Sequence, residues 1–440
     1  MSLMPALRPH PIQYKLWTAP TRFAVAPCGR RSGKTELAKR HVIRCALYGT
    51  AFPDARFFCA APSRMQAKRI YWEDLIKYSP DVFVTNINWT ELFIQYVNGS
   101  RVYVLGLDKP QTIEGSPWDG GVLDEYADMK EEAWRLHVRP ALTDRQGWCW
   151  LIGVPEGRNH YYDTYKRALS GESAEWGAFH WISADILSAH EIEQIKLETD
   201  EISYRQEYEG SFENFTGVAY YNFSDKTHYT SIERDKNRPL ILCFDFNTAP
   251  GVAVICQEFT QQEVHGIIAP GCSPTVTVAV GEVHIERNSN TEIVCNRIIK
   301  DYSDHQSIIQ IYGDATGGAK GSAKIKGSDW DIVKSTLTPA FGNRIRMHVP
   351  NANPKERSRV NSVNSRLKTV SGFRGLMVNA KRCPHLVKDF EGVQTVVGGS
   401  GEIDKKKNKQ LTHLSDAIGY YIHKEYPISK GRAVRTLGGF

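Results

Sequence analysis

The sequence predicts two α/β units in tandem: first a doubly wound, mainly parallel sheet, then a run of three strands, a helix and a fourth strand. Three observations carry this. At 440 residues the chain is too long for one ordinary core. Up to about residue 185, short apolar runs alternate with helical periodicity, the pattern of a doubly wound sheet. After a polar and aromatic stretch, a fresh series of apolar runs opens at Leu240.

Taken in order, Phe23-Ala24-Val25-Ala26 is a buried strand, and Glu36 to Ile43 has helical spacing. Between them lies Gly29-Arg30-Arg31-Ser32-Gly33-Lys34-Thr35. Strand, glycine-bearing loop and helix, with Gly-Lys-Thr at the helix start, make a cradle for a nucleoside triphosphate. Backbone N–H groups face the phosphates, Lys34 adds a point charge, and the Thr35 hydroxyl can ligate Mg²⁺. Cys28 stands where the G-x-x-x-x-G-K-[ST] pattern has its first glycine.

Ala55 to Pro62 reads as strand into loop, with Ser63 capping a helix through Gln66, Ala67 and Ile70. Leu92 to Leu105 reads as a hairpin turned at Asn98-Gly99. Val122-Leu123-Asp124-Glu125 is a strand ending in two carboxylates. In phosphate-loop ATPases an acid there holds Mg²⁺ and its neighbour polarises the attacking water. Two acids at a strand end also simply meet solvent, so the loop upstream is what favours the chemical reading. Trp148 to Gly153 is a further strand, followed by a turn at Pro155-Glu156-Gly157.

A polar helix from Glu191 to Asp200 leads through Tyr204-Arg205-Gln206-Glu207-Tyr208 to Phe223, a connecting element. The second unit runs through strands Leu240–Asp245, Val252–Ile255 and Val276–Val283, helix Thr291–Tyr302 and strand Ile308–Asp314. That is the order of the ribonuclease H-like fold. First and fourth strands can be neighbours, so Asp245 and Asp314 meet at one sheet edge. Asp416 lies in an apolar-periodic helix, Leu411 to Tyr421, where an acid needs a partner or a metal. Two-metal nuclease chemistry needs acids from separate segments that clamp the attacking and leaving oxygens. His413, one helical turn before Asp416, joins the metal shell or shuttles a proton, and Glu282 is a weaker fourth member. Singly, each acid is only an element end; the shared strand order links them. The domain boundaries fall at 1–185, 186–236 and 237–426, with a basic tail at 427–440.

Bulk composition agrees with a soluble globular protein, at 41% apolar and 24% charged residues. No apolar run reaches the ~18–20 residues of a membrane span. Met1 to Pro5 lacks signal-peptide character. Nine scattered cysteines without Cys-x-x-Cys pairs point to reduced thiols, not disulfides or zinc. A net charge of +6 permits a polyanionic partner without demanding one. Basic clusters concentrate late, at Lys355 to Arg359, Lys405 to Lys409 and Lys430 to Arg435.

Together the two halves resemble the large subunit of a tailed-bacteriophage terminase, over nearly the whole chain. The family's phosphate loop tolerates a missing first glycine. Pro11-Ile12-Gln13 resembles its adenine-side glutamine motif, Asp124-Glu125 its Walker B pair, and His413-x-x-Asp416-Ala417-Ile418-x-Tyr420 its nuclease ending. Gly153-Val154-Pro155-Glu156-Gly157-Arg158-Asn159 resembles its coupling motif, with Val154 in place of the usual threonine.

The resemblance implies ATP and Mg²⁺ at Gln13, Gly29, Arg30, Arg31, Ser32, Gly33, Lys34, Thr35 and Asp124, with Glu125 orienting water. It implies Mg²⁺ or Mn²⁺ at Asp245, Asp314 and Asp416. Arg139 is the candidate finger supplied to a neighbouring subunit; Arg30 and Arg31 are candidates within the chain, with Arg101 and Arg158 behind them. The partners implied are double-stranded DNA, the portal and procapsid, a small terminase subunit and, when docked, a homopentameric ring in the host cytoplasm, with no membrane. Lys355, Arg357, Arg359, Arg366 and Lys368 are candidates to grip DNA from a loop or hairpin. Two alternatives stay open: a helicase-like translocase that never cuts, and a structural packaging component with a degenerate ATPase. A cellular repair nuclease is harder to match to this domain order.

Overall fold

The computed structural model describes residues 10–49, 51–213, 217–246, 250–315, 328–396, 401–408 and 411–428. Met1 to Pro5, Lys409 and the basic tail with Lys430, Arg432 and Arg435 lie outside the described residues.

The first sheet is built from β1 (Phe23–Pro27), β2 (Arg56–Ala61), β3 (Val84–Asn88), β4 (Phe93–Tyr96), β5 (Arg101–Gly106), β6 (Gly120–Leu123), β7 (Trp148–Gly153) and β8 (Trp176–Ala178). Their spatial order is β3-β4-β5-β2-β6-β7-β1-β8. All pairs are parallel except the β3–β4–β5 edge. Every residue of β1 and β6 is buried, as continuous apolar runs in a sheet covered on both faces demand. The hairpin turns where expected, with Gly99 at φ +84°. Ser63 Oγ accepts the Gln66 N–H at 3.3 Å, and the helix it starts passes into a π-helical turn, Lys68–Trp72, that buries Tyr71 and Trp72.

The second sheet contains β9 (Leu240–Asp245), β10 (Gly251–Thr260), β11 (Thr275–Ile285), β12 (Ile309–Tyr312), β13 (Ile345–Met347) and β14 (Leu376–Val378), ordered β13-β12-β9-β10-β11-β14. β9, β10 and β11 form an antiparallel meander, and β12 lies parallel beside β9, the juxtaposition that the strand order predicts. Helix Thr291–Tyr302 begins at Asn290, whose side chain accepts the Ile293 N–H at 2.9 Å. One face of this sheet packs on helices Glu356–Leu367 and His413–Glu425, the other on Thr291–Tyr302 and Asp329–Phe341.

One expectation is overturned here. The stretch from Lys355 to Lys368 is no loop reaching for a duplex; Glu356–Leu367 is a helix buried from Arg359 onward. Its apolar stripe is invisible in the sequence because much of what it buries is polar and internally bonded. Asn364 Nδ2 donates to Ala219 O at 2.9 Å, and Ser365 Oγ donates to Asp200 at 2.9 Å.

Two compact units divide the chain, Met1–Ile192 with Arg205–Asn214, and Glu193–Tyr204 with Phe215–Phe440. The connecting stretch is thus divided between them: 186–192 and 205–214 belong to the first unit, 193–204 and 215–236 to the second.

Candidate nucleotide and metal sites

In the first unit, the loop after β1 folds tightly because its backbone has no room to do otherwise. A Cβ at Gly29 would fall 2.2 Å from Tyr208 O and 2.4 Å from Ser183 Oγ. Gly33 has φ +79°, the left-handed conformation that glycine adopts at least cost. Cys28 does not share that need, since only Arg31 and Gly33 have positive φ within the loop. Its thiol is wholly buried, and burial pushes its pKa up to about 12, so it is an inert packing group.

Three segments distant in sequence brace the loop. The Trp181 indole N–H and Gln13 Nε2 both donate to Ser32 O, at 2.9 and 2.8 Å. Ser183 Oγ donates to Arg30 O at 2.6 Å, and Arg30 N–H donates to Glu207 O at 2.7 Å. The Arg30 guanidinium is ion-paired with Glu207, which removes it from the phosphate side as a first choice. Lys34 is 7% exposed, its Nζ 3.4 Å from Gly29 O.

Thr35 Oγ1 donates to Asp124 Oδ2 at 2.8 Å, joining the helix start to the end of β6 across the intervening β7. Asp124 is fully buried and also accepts from Tyr71 OH and from the Glu125 N–H, each at 2.9 Å. Glu125 sits in the left-handed region at φ +53°, a strained position for a non-glycine residue next to the phosphate loop. Burial raises its carboxyl pKa; Lys34 pulls it down and Asp124 pushes it further up. Such a carboxyl suits general-base duty.

The segment resembling a coupling motif is bonded to residues that flank the loop and the Asp124-Glu125 pair. Gly153 O accepts from Cys28 N–H at 3.0 Å, Gly157 N–H donates to Gln206 Oε1 at 3.1 Å, and Asn159 Nδ2 donates to Ala127 O at 3.0 Å. Arg139 lies elsewhere. Its guanidinium stacks over Phe23 at 4.9 Å, at the amino end of β1, whereas the phosphate loop leaves the carboxyl end. Arg101 and Arg158 rest on Phe93 and Tyr162.

In the second unit, Asp245 at the end of β9 pairs with His413 Nδ1 at 3.1 Å. The hydrogen bond to Asp245 raises the His413 pKa against the effect of burial. Asp416, on the same helix as His413, is held by Arg359 Nη2 at 2.6 Å. Burial pushes Asp416 up to about 6, with Arg359 opposing and Asp245, Glu356 and Asp389 adding. Asp314 follows β12, is 6% exposed, and offers its backbone oxygen to the Trp330 indole at 3.0 Å. Burial raises the Tyr420 phenol, and Asp245, Asp416 and Asp314 all add to that rise, so one side chain feels all three carboxylates. The helix start that carries His413 is capped from outside: Asp389 Oδ2 accepts the Leu414 and Ser415 N–H groups, both at 2.9 Å.

Aspartate oxygens are hard donors of the kind Mg²⁺ and Mn²⁺ take, so the donor chemistry of Asp245, Asp314 and Asp416 fits. Yet no three His, Cys, Asp or Glu side chains are gathered as a ligand set among the described residues. Glu282 is accounted for differently from the fourth-member expectation. Its carboxylate accepts the His385 and Leu386 N–H groups and pairs with His385 Nδ1 at 2.6 Å, capping helix Pro384–Gly392. Arg359 and Arg366 also depart from expectation, because neither faces outward. Arg366 is 5% exposed, stacked 3.7 Å from the Tyr426 ring and bonded to Thr275 O at 2.8 Å. Tyr71, Trp181, Glu207 and Asp389 are candidate-site residues that sequence reasoning missed, and Arg359, read there as facing DNA, is instead the partner of Asp416; no local pattern marks these roles.

Comparison with known proteins follows this geometry. The family model described as terminase large subunit, T4likevirus-type, N-terminal, matches residues 27–227. The terminase large subunit of Thermus phage G20c is 24% identical over 243 residues, 47% of this chain and 49% of its own. That of Escherichia phage T5 is 25% identical over 225 residues, 48% and 49%. The chain therefore spans about half the length of the curated relatives it matches. The large terminase of a thermophilic bacteriophage has the same fold, with TM-score 0.66 over 94% of this chain and 98% of that one at 16% identity. A structure of that same phage protein in complex with ATP-γ-S gives 0.64 at 16% identity. By family model and curated relatives about half of this chain is similar to the phage terminase large subunits, and over 94% of its length it shares the fold of one of them.

Proposed function

We propose that the first unit hydrolyses ATP to drive double-stranded DNA into a viral procapsid, and that the second cuts concatemeric DNA. The observation that carries this reading is the Thr35–Asp124 hydrogen bond of 2.8 Å, which joins the two halves of a phosphate-loop site. The ATP-γ-S complex of the thermophilic phage protein supports the nucleotide assignment.

In this reading Lys34 and the loop N–H groups bind the phosphates, and Gln13 lies on the adenine side. Thr35 and Asp124 would hold Mg²⁺, which supplies charge neutralisation at the transferring phosphoryl. Glu125 orients and deprotonates the attacking water. Because Arg30 is committed to Glu207, charge developing on the phosphoryl falls to Arg31 or to Arg139 of a neighbouring copy. Such a finger is worth ~10³–10⁵ in rate. In the second unit Asp245, Asp314 and Asp416 would hold Mg²⁺ or Mn²⁺ for phosphodiester hydrolysis, with His413 placed to move a proton. Portal, procapsid, small subunit, a homopentameric ring and the host cytoplasm belong to the same proposal. No helix of the described residues is long and apolar enough to cross a membrane.

Plasmid cleavage with Mg²⁺ or Mn²⁺ tests this, beside Asp245→Ala and Asp416→Ala shown to be folded, with ATP turnover of Lys34→Ala in parallel. Cleavage lost in both aspartate variants and turnover lost in Lys34→Ala support the motor-nuclease. Cleavage that survives both substitutions discards the metal site. Turnover without any cleavage favours the helicase-like translocase, and nucleotide binding without turnover favours the degenerate ATPase.

A further inference from the structure

Arg359 brings a permanent positive charge into the aspartate cluster, and the local geometry is built around it. Its Nη2 lies 2.6 Å from Asp416 Oδ1, and the residue is 5% exposed. The guanidinium stacks over the Tyr420 ring at 4.5 Å. Its stem crosses the helix at Gly419, where a Cβ would fall 2.9 Å from Arg359 Cγ and 3.0 Å from Cδ. Its Nε is buried without a hydrogen-bond partner among the described residues. Four carboxylates act on this neighbourhood, Asp245, Asp389, Glu356 and Asp416 itself. Asp416 is the carboxylate this guanidinium bonds, and a carboxylate taken out of water is costly unless a cation or hydrogen-bond donor meets it.

We propose that Arg359 is a tethered counter-cation of the nuclease site, holding Asp416 in the metal-free protein and competing with a divalent ion for the same carboxylate. The inference rests on the metal-dependent nuclease reading of Asp245, Asp314 and Asp416. A stacked arginine on a buried aspartate supplies what an ion supplies, positive charge at the oxygen, and supplies it without an ion. The folded site thereby tolerates its own acids before loading. The consequence is weaker ion binding: loading requires the Arg359–Asp416 contact to open. Arg359 is therefore a positioning residue that sets metal affinity, and a shift of the helix carrying Asp416 relative to helix Glu356–Leu367 would load or unload the site.

The test is Mn²⁺ binding to the full chain, read by electron paramagnetic resonance of free ion, for wild type, Arg359→Gln, Arg359→Lys and Asp416→Asn. Thermal midpoints in chelator and in Mn²⁺ accompany it. Arg359→Gln is expected to bind Mn²⁺ at least tenfold more tightly, and to be the less stable protein in chelator but not in Mn²⁺. Arg359→Lys, which keeps the charge but loses the fork and the stack, is expected to bind several-fold more tightly; it carries the test if the glutamine variant does not fold. A folded arginine variant that binds Mn²⁺ no better than wild type, while Asp416→Asn abolishes binding, overturns the counter-cation and leaves the nuclease reading standing. Equal binding in all four proteins overturns both.

Discussion

Asp124 is a fully buried carboxylate, and its partners can be removed one at a time. Tyr71→Phe deletes a single hydroxyl, 2.9 Å from Asp124 Oδ2, from a ring with no exposed surface. The ring stays, so packing is preserved and the cost is a lost hydrogen bond to a charged group, about 1.5–3 kcal/mol. For a unit of this size that lowers the melting midpoint by roughly 3–12 °C. Nine of the ten tryptophans precede residue 193, and Trp330 is the exception. Urea unfolding followed by tryptophan fluorescence of the full chain therefore reports almost wholly on the first unit. A double-mutant cycle with Asp124→Asn isolates the contact and should return a coupling of the same size. The reasoning fails if Tyr71→Phe unfolds within about 0.5 kcal/mol of wild type, or if its cost is undiminished when Asp124 is already asparagine.

Three further outcomes are expected. Glu125→Gln should retain nucleotide binding while phosphate release falls by about 10²–10⁴-fold, the range for losing a general base; a matching loss of binding would instead make the residue structural. Asp389→Ala uncaps two N–H groups of the helix bearing His413 and Asp416, and should cost the second unit about 2 kcal/mol by calorimetry; an unchanged second transition would remove Asp389 from this account. His41 stacks on Trp150 with ring centroids 4.0 Å apart, and burial, aided by Arg44, depresses its pKa to about 3. Its neutral form belongs to the folded state, so the stability it contributes is present above the unfolded value near 6.5 and drains away as pH falls toward 3. The slope is at most about 1.4 kcal/mol per pH unit, and His41→Phe should flatten the acid limb of a pH–stability curve by that amount; parallel curves would contradict it.

Much of the first site was legible because its chemistry is local. Lys34 and Thr35 must start a helix directly after a glycine turn, and that order is written in consecutive residues. Asp124 and Glu125 were legible as acids at a strand end, although what holds Asp124 was not. Tyr71 lies 53 positions away, in a π-helical turn with no sequence signature. The arginines show the opposite error. Arg359 and Arg366 looked like part of a basic, DNA-facing run, but composition does not say which charges a fold will bury.

The sequence by itself determined the central strands of both sheets, though not β3, β8, β13 or β14, together with the Asn98-Gly99 hairpin, helix Thr291–Tyr302 and the neighbouring of first and fourth strands. Each follows from apolar periodicity, turn chemistry or connection rules that act over a few residues or a few elements. Only the tertiary structure decided that Arg359 would sit on Asp416, that Glu282 would cap a helix, that Arg30 would pair with Glu207, and that Cys28 needs no glycine's freedom. These are choices among partners far apart in the chain. What selects them is the cost of burying a charge or an N–H group without a partner, which is settled only when the packed neighbours are in place.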